Sequence, residues 1–324
     1  MLARFEVLMR WWRVWGTLPV MAWVQGAALY RAGKFDEARR YYEKGLERHR
    51  RHPARFCAHM DLSYCLFRLR RFDEAEQHLQ ITVKHFPRMR EASVRLARLQ
   101  MWTGSYLEAA WTIKRILEHV APDAELAALF LMAVIHNGGP AFLRKEALAA
   151  LLSLDPKQLK DPRLEVGRAL LAVQRGEIAK GRAVLEGLAT QPGAPLEAHL
   201  AFSELLLSEY KIGQARVHLR AALLAAPDDP KVLTLLSESY LKPGPFYNPE
   251  YANQLAISAC QNTGWLSPGE MKVLAQSFFH LGDKGSALIV ASKAKQVGKQ
   301  RLGVFKDSET LDELIKGLAA GTLA

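Results

Sequence analysis

The residues best suited to chemistry fall in three short clusters. Cys57, His59 and Cys65 carry thiol and imidazole donors of the kind that hold zinc. On one helix, however, the two thiols are separated by more than two turns, so they do not converge on one ion. His49 and His52 lie in HRRH before Pro53, where a helix end favours cationic side chains through its dipole. Asp228 and Asp229 lie in PDDP, a turn that opens a helix. A carboxylate pair used for acid–base catalysis needs a cleft that perturbs its pKa, and nothing in this stretch supplies one. No Gly-rich phosphate loop, CxxC pair or HExxH is present. The expectation is a chain that is not an enzyme, with no catalytic set, no cofactor and no metal. Its thiols should be buried in a helical core.

Composition narrows the setting. The chain has 324 residues, 49% hydrophobic and 24% charged, enough to bury a sizeable core. Three cysteines do not make the dense, even framework of a secreted disulfide scaffold, which points to a reducing, cytoplasmic location. Residues 5–15 are apolar but are interrupted by Glu6, Arg10 and Arg13. That excludes a membrane span, and no small-residue cleavage site follows to mark a signal peptide. The net charge of +11 is uneven: residues 1–120 hold 22 Lys and Arg against 12 Asp and Glu. The basic first third is suited to an acidic partner, an anionic membrane surface or nucleic acid.

The elements that position these residues recur along the chain. GKFDEARRYYEKGLERH (33–49), RRFDEAEQHLQITVKHFP (70–87) and GSYLEAAWTIKRILEHVAP (104–122) align. Each opens on a turn residue, with an aromatic two places on (Phe35, Phe72, Tyr106) and an alanine three further (Ala38, Ala75, Ala109). The pattern continues through Gly139; through Gly176, Ile178 and Gly181; through Tyr210, Ile212 and Ala215; and through Gly282, Lys284 and Ala287. Glycine at the turn allows a positive φ, the small residue lets two helices approach closely, and Pro87, Pro122, Pro156 and Pro227 end the second helix. The fourth unit departs, with Arg144 where a small residue is expected, and KPGPFYNPE (242–250) is inserted between two helices.

These residues give the chain a resemblance to the tetratricopeptide repeat family over roughly residues 20–298. The implied fold is all-α: a right-handed α-solenoid of about eight helix-turn-helix repeats, with an N-terminal apolar helix and a C-terminal capping helix. The expected organisation is an amphipathic helix (1–18), three regular basic repeats (19–122), divergent repeats 4–6 (123–230), irregular repeats 7 and 8 (231–300) and a capping helix (301–324).

The resemblance implies a scaffold that grips a partner segment on the groove side of the first helix of each repeat. The groove positions fall on Trp23, Ala27, Tyr30 and Arg31; on Met60, Tyr64, Phe67 and Arg68; and on Val94, Arg98, Met101 and Trp102. Aromatics and arginines dominate binding hot spots, and Arg engages carboxylates bidentately. The expected partner is an acidic or aromatic-bearing protein segment. The Asn residues of the family's Lys/Asn carboxylate clamp are absent. On the N-terminal segment, Phe5, Leu8, Trp12 and Trp15 share one apolar face. That face has three destinations: capping the first repeat, self-association or a partner, and peripheral attachment to the cytoplasmic face of a membrane. RNA binding ranks below these, because a code-like reader repeats one polar pair in every unit and these positions vary.

Overall fold

The computed structural model describes residues 20–137, 140–303, 305 and 307–320. The expected helix over 1–18, with Phe5, Leu8, Trp12 and Trp15, lies outside the described residues, as does Gly139. Among the described residues there are 17 α-helices and no strand. In chain order they are α1 (Met21–Arg31), α2 (Phe35–Arg48), α3 (Arg55–Arg68), α4 (Phe72–His85), α5 (Arg90–Trp102) and α6 (Tyr106–Leu117). Then come α7 (Ala124–Asn137), α8 (Ala141–Leu152), α9 (Pro162–Gln174), α10 (Ile178–Ala189), α11 (Leu196–Ser208) and α12 (Ile212–Ala225). The last are α13 (Pro230–Leu241), α14 (Pro249–Asn262), α15 (Pro268–His280), α16 (Lys284–Leu302) and α17 (Ser308–Ala320). Taken two at a time, the first sixteen follow one another as eight pairs, seven of which pack as hairpins among the described residues, and α17 packs on α16 as the closing helix.

The turn chemistry follows the sequence pattern. Gly33, Gly104, Gly176 and Gly282 have φ of 75°, 78°, 88° and 81°, the left-handed region that glycine enters freely. At the equivalent turns Arg70 and Tyr210 adopt φ of 59° and 58°, so two repeats make the same reversal without glycine. Helix starts are capped: Asp161, Asp229 and Asn248 accept backbone N–H bonds, each followed by a proline in the first turn. Asp229 takes bonds from Lys231 and Val232, which accounts for the PDDP acid at that position as a cap.

Small residues set the helix spacing. Ala38, Ala75, Ala109, Ala215 and Ala287 are fully buried at the matching register. At Gly181 a Cβ would meet the Ala169 carbonyl oxygen at 2.6 Å, so α9 and α10 touch too closely there even for alanine. In the fourth unit the fully buried side chains of α8 are Leu143 and Ala147, and the Arg144 Nε is enclosed without a hydrogen-bond partner. The 242–250 insertion falls between α13 and α14, as expected. Cys57, Cys65 and Cys260 are free and buried in helical cores, and burial pushes the Cys65 thiol up to about 12.

The chain divides into two compact units. Unit 1 comprises residues 1–100 and 115–120, and unit 2 comprises 101–114 and 121–324. The division runs through α5 and α6. In unit 2 the early segment meets a late one. The Trp102 indole N–H donates to the Asn262 carbonyl at 2.8 Å, and the Asn262 amide donates to the Asp228 carbonyl at 2.8 Å. Gly104 lies so close to Ser267 that a Cβ would meet its Oγ at 2.5 Å.

Candidate functional site

In unit 1 the first helices of successive repeats, α1, α3 and α5, carry the predicted groove positions. Tyr30, Tyr64 and Phe67 are half-buried, with the Tyr30 and Tyr64 rings 6.2 Å apart. Tyr30 also leans on Phe35 at 5.3 Å, and Phe67 meets Phe72 edge-on at 5.3 Å. Arg68 places its guanidinium 5.0 Å from the centre of the Phe35 ring, and Arg95 places its own 3.9 Å from Tyr64. Stacking of this kind aligns the planar cation; Arg68 keeps its edge toward solvent, whereas Arg95 pairs with Glu91 and its Nη1 is buried. Arg31, Arg68 and Arg98 are exposed. Burial raises both tyrosine hydroxyls above their ordinary pKa, partly offset by Arg68 and Arg95. Tyr30, Tyr64, Phe67 and Arg68 thus form one aromatic–arginine strip with Arg95.

Four groove positions belong to the core instead. Trp23 is fully buried, and Ala27, Met60 and Val94 are buried as well. Trp23 lies over Gly45, where a Cβ would meet the indole nitrogen at 2.3 Å, and meets the His52 ring edge-on at 5.3 Å. A glycine on α2 makes the slot, and a ring as large as indole fills it. Met101 and Trp102 fall in unit 2, where the Trp102 N–H is used on Asn262. Arg95, which the sequence reading passed over, lies one turn before Arg98. The signal for it was Tyr64 itself, a half-buried ring on the preceding repeat that leaves a face for a cation to cover.

Elsewhere in unit 1, His59 and His78 face each other with Nδ1 atoms 2.7 Å apart. One must donate and the other accept, so the pair excludes double protonation. Burial, then the charge of His78, lowers the His59 pKa to about 4, and burial lowers His78. His199 and His218 repeat the arrangement in unit 2 at 3.4 Å. Among the described residues no group of three or more His, Cys, Asp or Glu is arranged to hold a metal.

Unit 2 encloses a cavity of about 470 Å3. Its walls come from α7 (His136), α11 (Glu204), α13 (Lys231, Glu238), α15 (Glu270, Lys272), the turn before α17 (Asp307), and Gly104 and Tyr106 at the start of α6. Lys231 pairs with Glu204 at 2.6 Å, and Lys272 pairs with Asp307 at 2.6 Å. Burial pushes the Lys231 ammonium towards deprotonation, but the carboxylates around it outweigh that and raise its pKa, Glu204 foremost. Glu238 and Glu270 are shifted up by burial. The Ser267 hydroxyl and Lys231 pull Glu270 the other way without cancelling it. Tyr106 is raised to about 12, also by burial, and its ring lies 5.1 Å from His136. None of these charges was singled out in the sequence. Their signal is position: Glu238 is the one acidic residue of α13 and Glu270 the one of α15.

The fold is an array of helical hairpins. The sequence pattern of the tetratricopeptide repeat family matches residues 24–81 and 66–125, and the helical-hairpin fold continues beyond that stretch. No curated protein matches the chain. Among solved structures, a tetratricopeptide repeat protein from Parabacteroides merdae is similar at a TM-score of 0.53 and 13% identity, covering 92% of this chain and 98% of its own. The Cut9–Hcn1 hetero-tetramer of APC/C is similar at a TM-score of 0.65 and 13% identity, over 93% of this chain and 63% of that one. The human IFIT1 dimer with m7Gppp-AAAA is similar at 0.52 and 12% identity, over 93% of this chain and 80% of that one. At these identities the likeness is one of fold. Among the described residues, no helix is long and apolar enough to cross a membrane.

Proposed function

We propose that unit 1 holds an acidic, aromatic-bearing protein segment along the strip formed by Tyr30, Tyr64, Phe67, Arg68 and Arg95, flanked by Arg31 and Arg98. Tetratricopeptide arrays are in general protein-interaction scaffolds, and this reading makes the chain a scaffold or adaptor in a reducing compartment. The observation that carries it is the pairing of half-buried rings with guanidinium groups laid over them. Such a surface has already given up part of its side-chain freedom, so it binds at lower entropic cost than loose lysines would. The charge excess of residues 1–120 attracts an acidic segment over a distance set by ionic strength.

Fluorescence anisotropy with a labelled peptide of alternating Glu and Tyr tests this. The full chain should bind it saturably, with affinity falling as salt rises. Arg31→Glu, Arg68→Glu and Arg98→Glu combined should weaken binding at least about tenfold, with an unchanged circular dichroism spectrum. Equal binding by the folded triple variant, or no binding by the native chain, would sink the reading.

A further inference from the structure

The cavity of unit 2 contains an acceptor that nothing in the protein satisfies. Glu270 is 9% exposed, lines the cavity, and its Oε2 has no hydrogen-bond partner. An enclosed carboxylate oxygen without a donor is costly to keep, and native structures keep few of them. The nearby cations are already engaged. Lys231 is paired with Glu204 and Lys272 with Asp307, while the Lys242 ammonium sits 5.6 Å from the centre of the Tyr210 ring. Glu238 and Glu270 are therefore the carboxyls left over, both shifted upward by burial.

We propose that this cavity binds an organic cation with N–H donors, an ammonium or guanidinium group, with Glu270 as its principal acceptor and Glu238 as a second carboxylate. The volume, about 470 Å3, lies within the range of small-ligand pockets and admits a basic side chain. Tyr106 adds an aromatic wall of the kind that attracts cations. A planar guanidinium would meet a carboxylate through two parallel bonds, and an ammonium through one. A metal ion is disfavoured, because no set of three or more ligating side chains converges among the described residues. A cation beside Glu270 supplies the partner that burial denies it. The site is distinct from the strip of unit 1 and selects the opposite charge.

The chemistry has two sources, a basic residue of a protein segment or a free small amine, and calorimetric titration of the full chain separates them. The probes are a Gly/Ser peptide with a single Arg, the same peptide with a single Lys, and spermidine. At least one should bind saturably, and the probe that binds identifies the source. Glu270→Gln keeps the shape and removes the charge, and should raise the dissociation constant tenfold or more. Glu238→Gln should raise it by a smaller factor. Glu309→Gln, exposed on α17 and not part of the cavity lining, should change nothing. Native-like affinity in a folded Glu270→Gln chain, or no saturable binding of any probe, would overturn the proposal.

Discussion

The two units handle charge in opposite ways. Unit 1 lays arginines over half-buried rings, with Arg68 exposed to solvent over Phe35 and Arg95 held over Tyr64 by its pair with Glu91. Unit 2 gathers lysines and carboxyls inside a cavity, where pairing decides which of them can stay charged. The same hairpin supports both, because the inner positions of its first helix do not determine the fold. What differs is enclosure. A cation on an open strip loses little hydration, whereas a carboxyl in a cavity loses most of it and needs a partner.

The largest expected effect tests whether the repeat core, and not the charges, supplies stability. Leu62 is fully buried in α3, so Leu62→Ala should cost about 3 kcal/mol in denaturant unfolding. A loss below about 1 kcal/mol would mean that the unit 1 core is not close-packed. Next is the closure of unit 2. Trp102→Phe removes the donor to the Asn262 carbonyl and should cost about 1–2 kcal/mol. It should also speed amide hydrogen exchange around Asn262–Ser267. Unchanged exchange there would mean that segment 101–114 does not hold α14 and α15.

The pH response should have opposite signs at the two sites. His59 has a folded pKa lowered to about 4 against an ordinary 6.5, so the unfolded chain binds its proton first. Its contribution is present above about pH 6.5 and is lost as pH falls toward 4. Thermal melts of His59→Gln should therefore fall less steeply with acid than those of the native chain. Glu270 is raised, so its contribution is present below about pH 4.5, its ordinary value, and is lost as pH rises through the folded pKa. Glu270→Gln should flatten the alkaline side of the same curve. Identical profiles for a variant and the native chain would remove that group from the account.

The smallest effect is a gain. Tyr210→Gly relieves a positive φ at an exposed turn and should add up to about 1 kcal/mol, the strain relief exceeding the extra freedom glycine gives the unfolded chain. Arg70→Gly should do the same in unit 1. A loss at either position would show that the side chain contributes more than the backbone strain costs.

The strip was partly legible because neighbouring repeats place equivalent positions side by side. Tyr30 and Tyr64 recur one repeat apart and do meet. Trp23 was misread from the same register because its slot is made by Gly45 on the second helix, and a register along one helix does not report depth beneath another. Arg95 was missed because a guanidinium over a ring looks in sequence like any exposed charge.

By itself the sequence determined the local grammar of this protein: the repeat period, the turns at Gly33, Gly104, Gly176 and Gly282, the buried alanines, and the helix entry at Asp229. These depend on contacts within a hairpin or between neighbours, so the residue types at fixed spacing are sufficient. Only the tertiary structure decided that Trp102 would reach Asn262 and that Gly104 would meet Ser267, enclosing Glu270 with Lys231 and Tyr106. That closure is the sum of small rotations over many repeats. Each is set by side-chain volumes at helix contacts, and none is written at a single position.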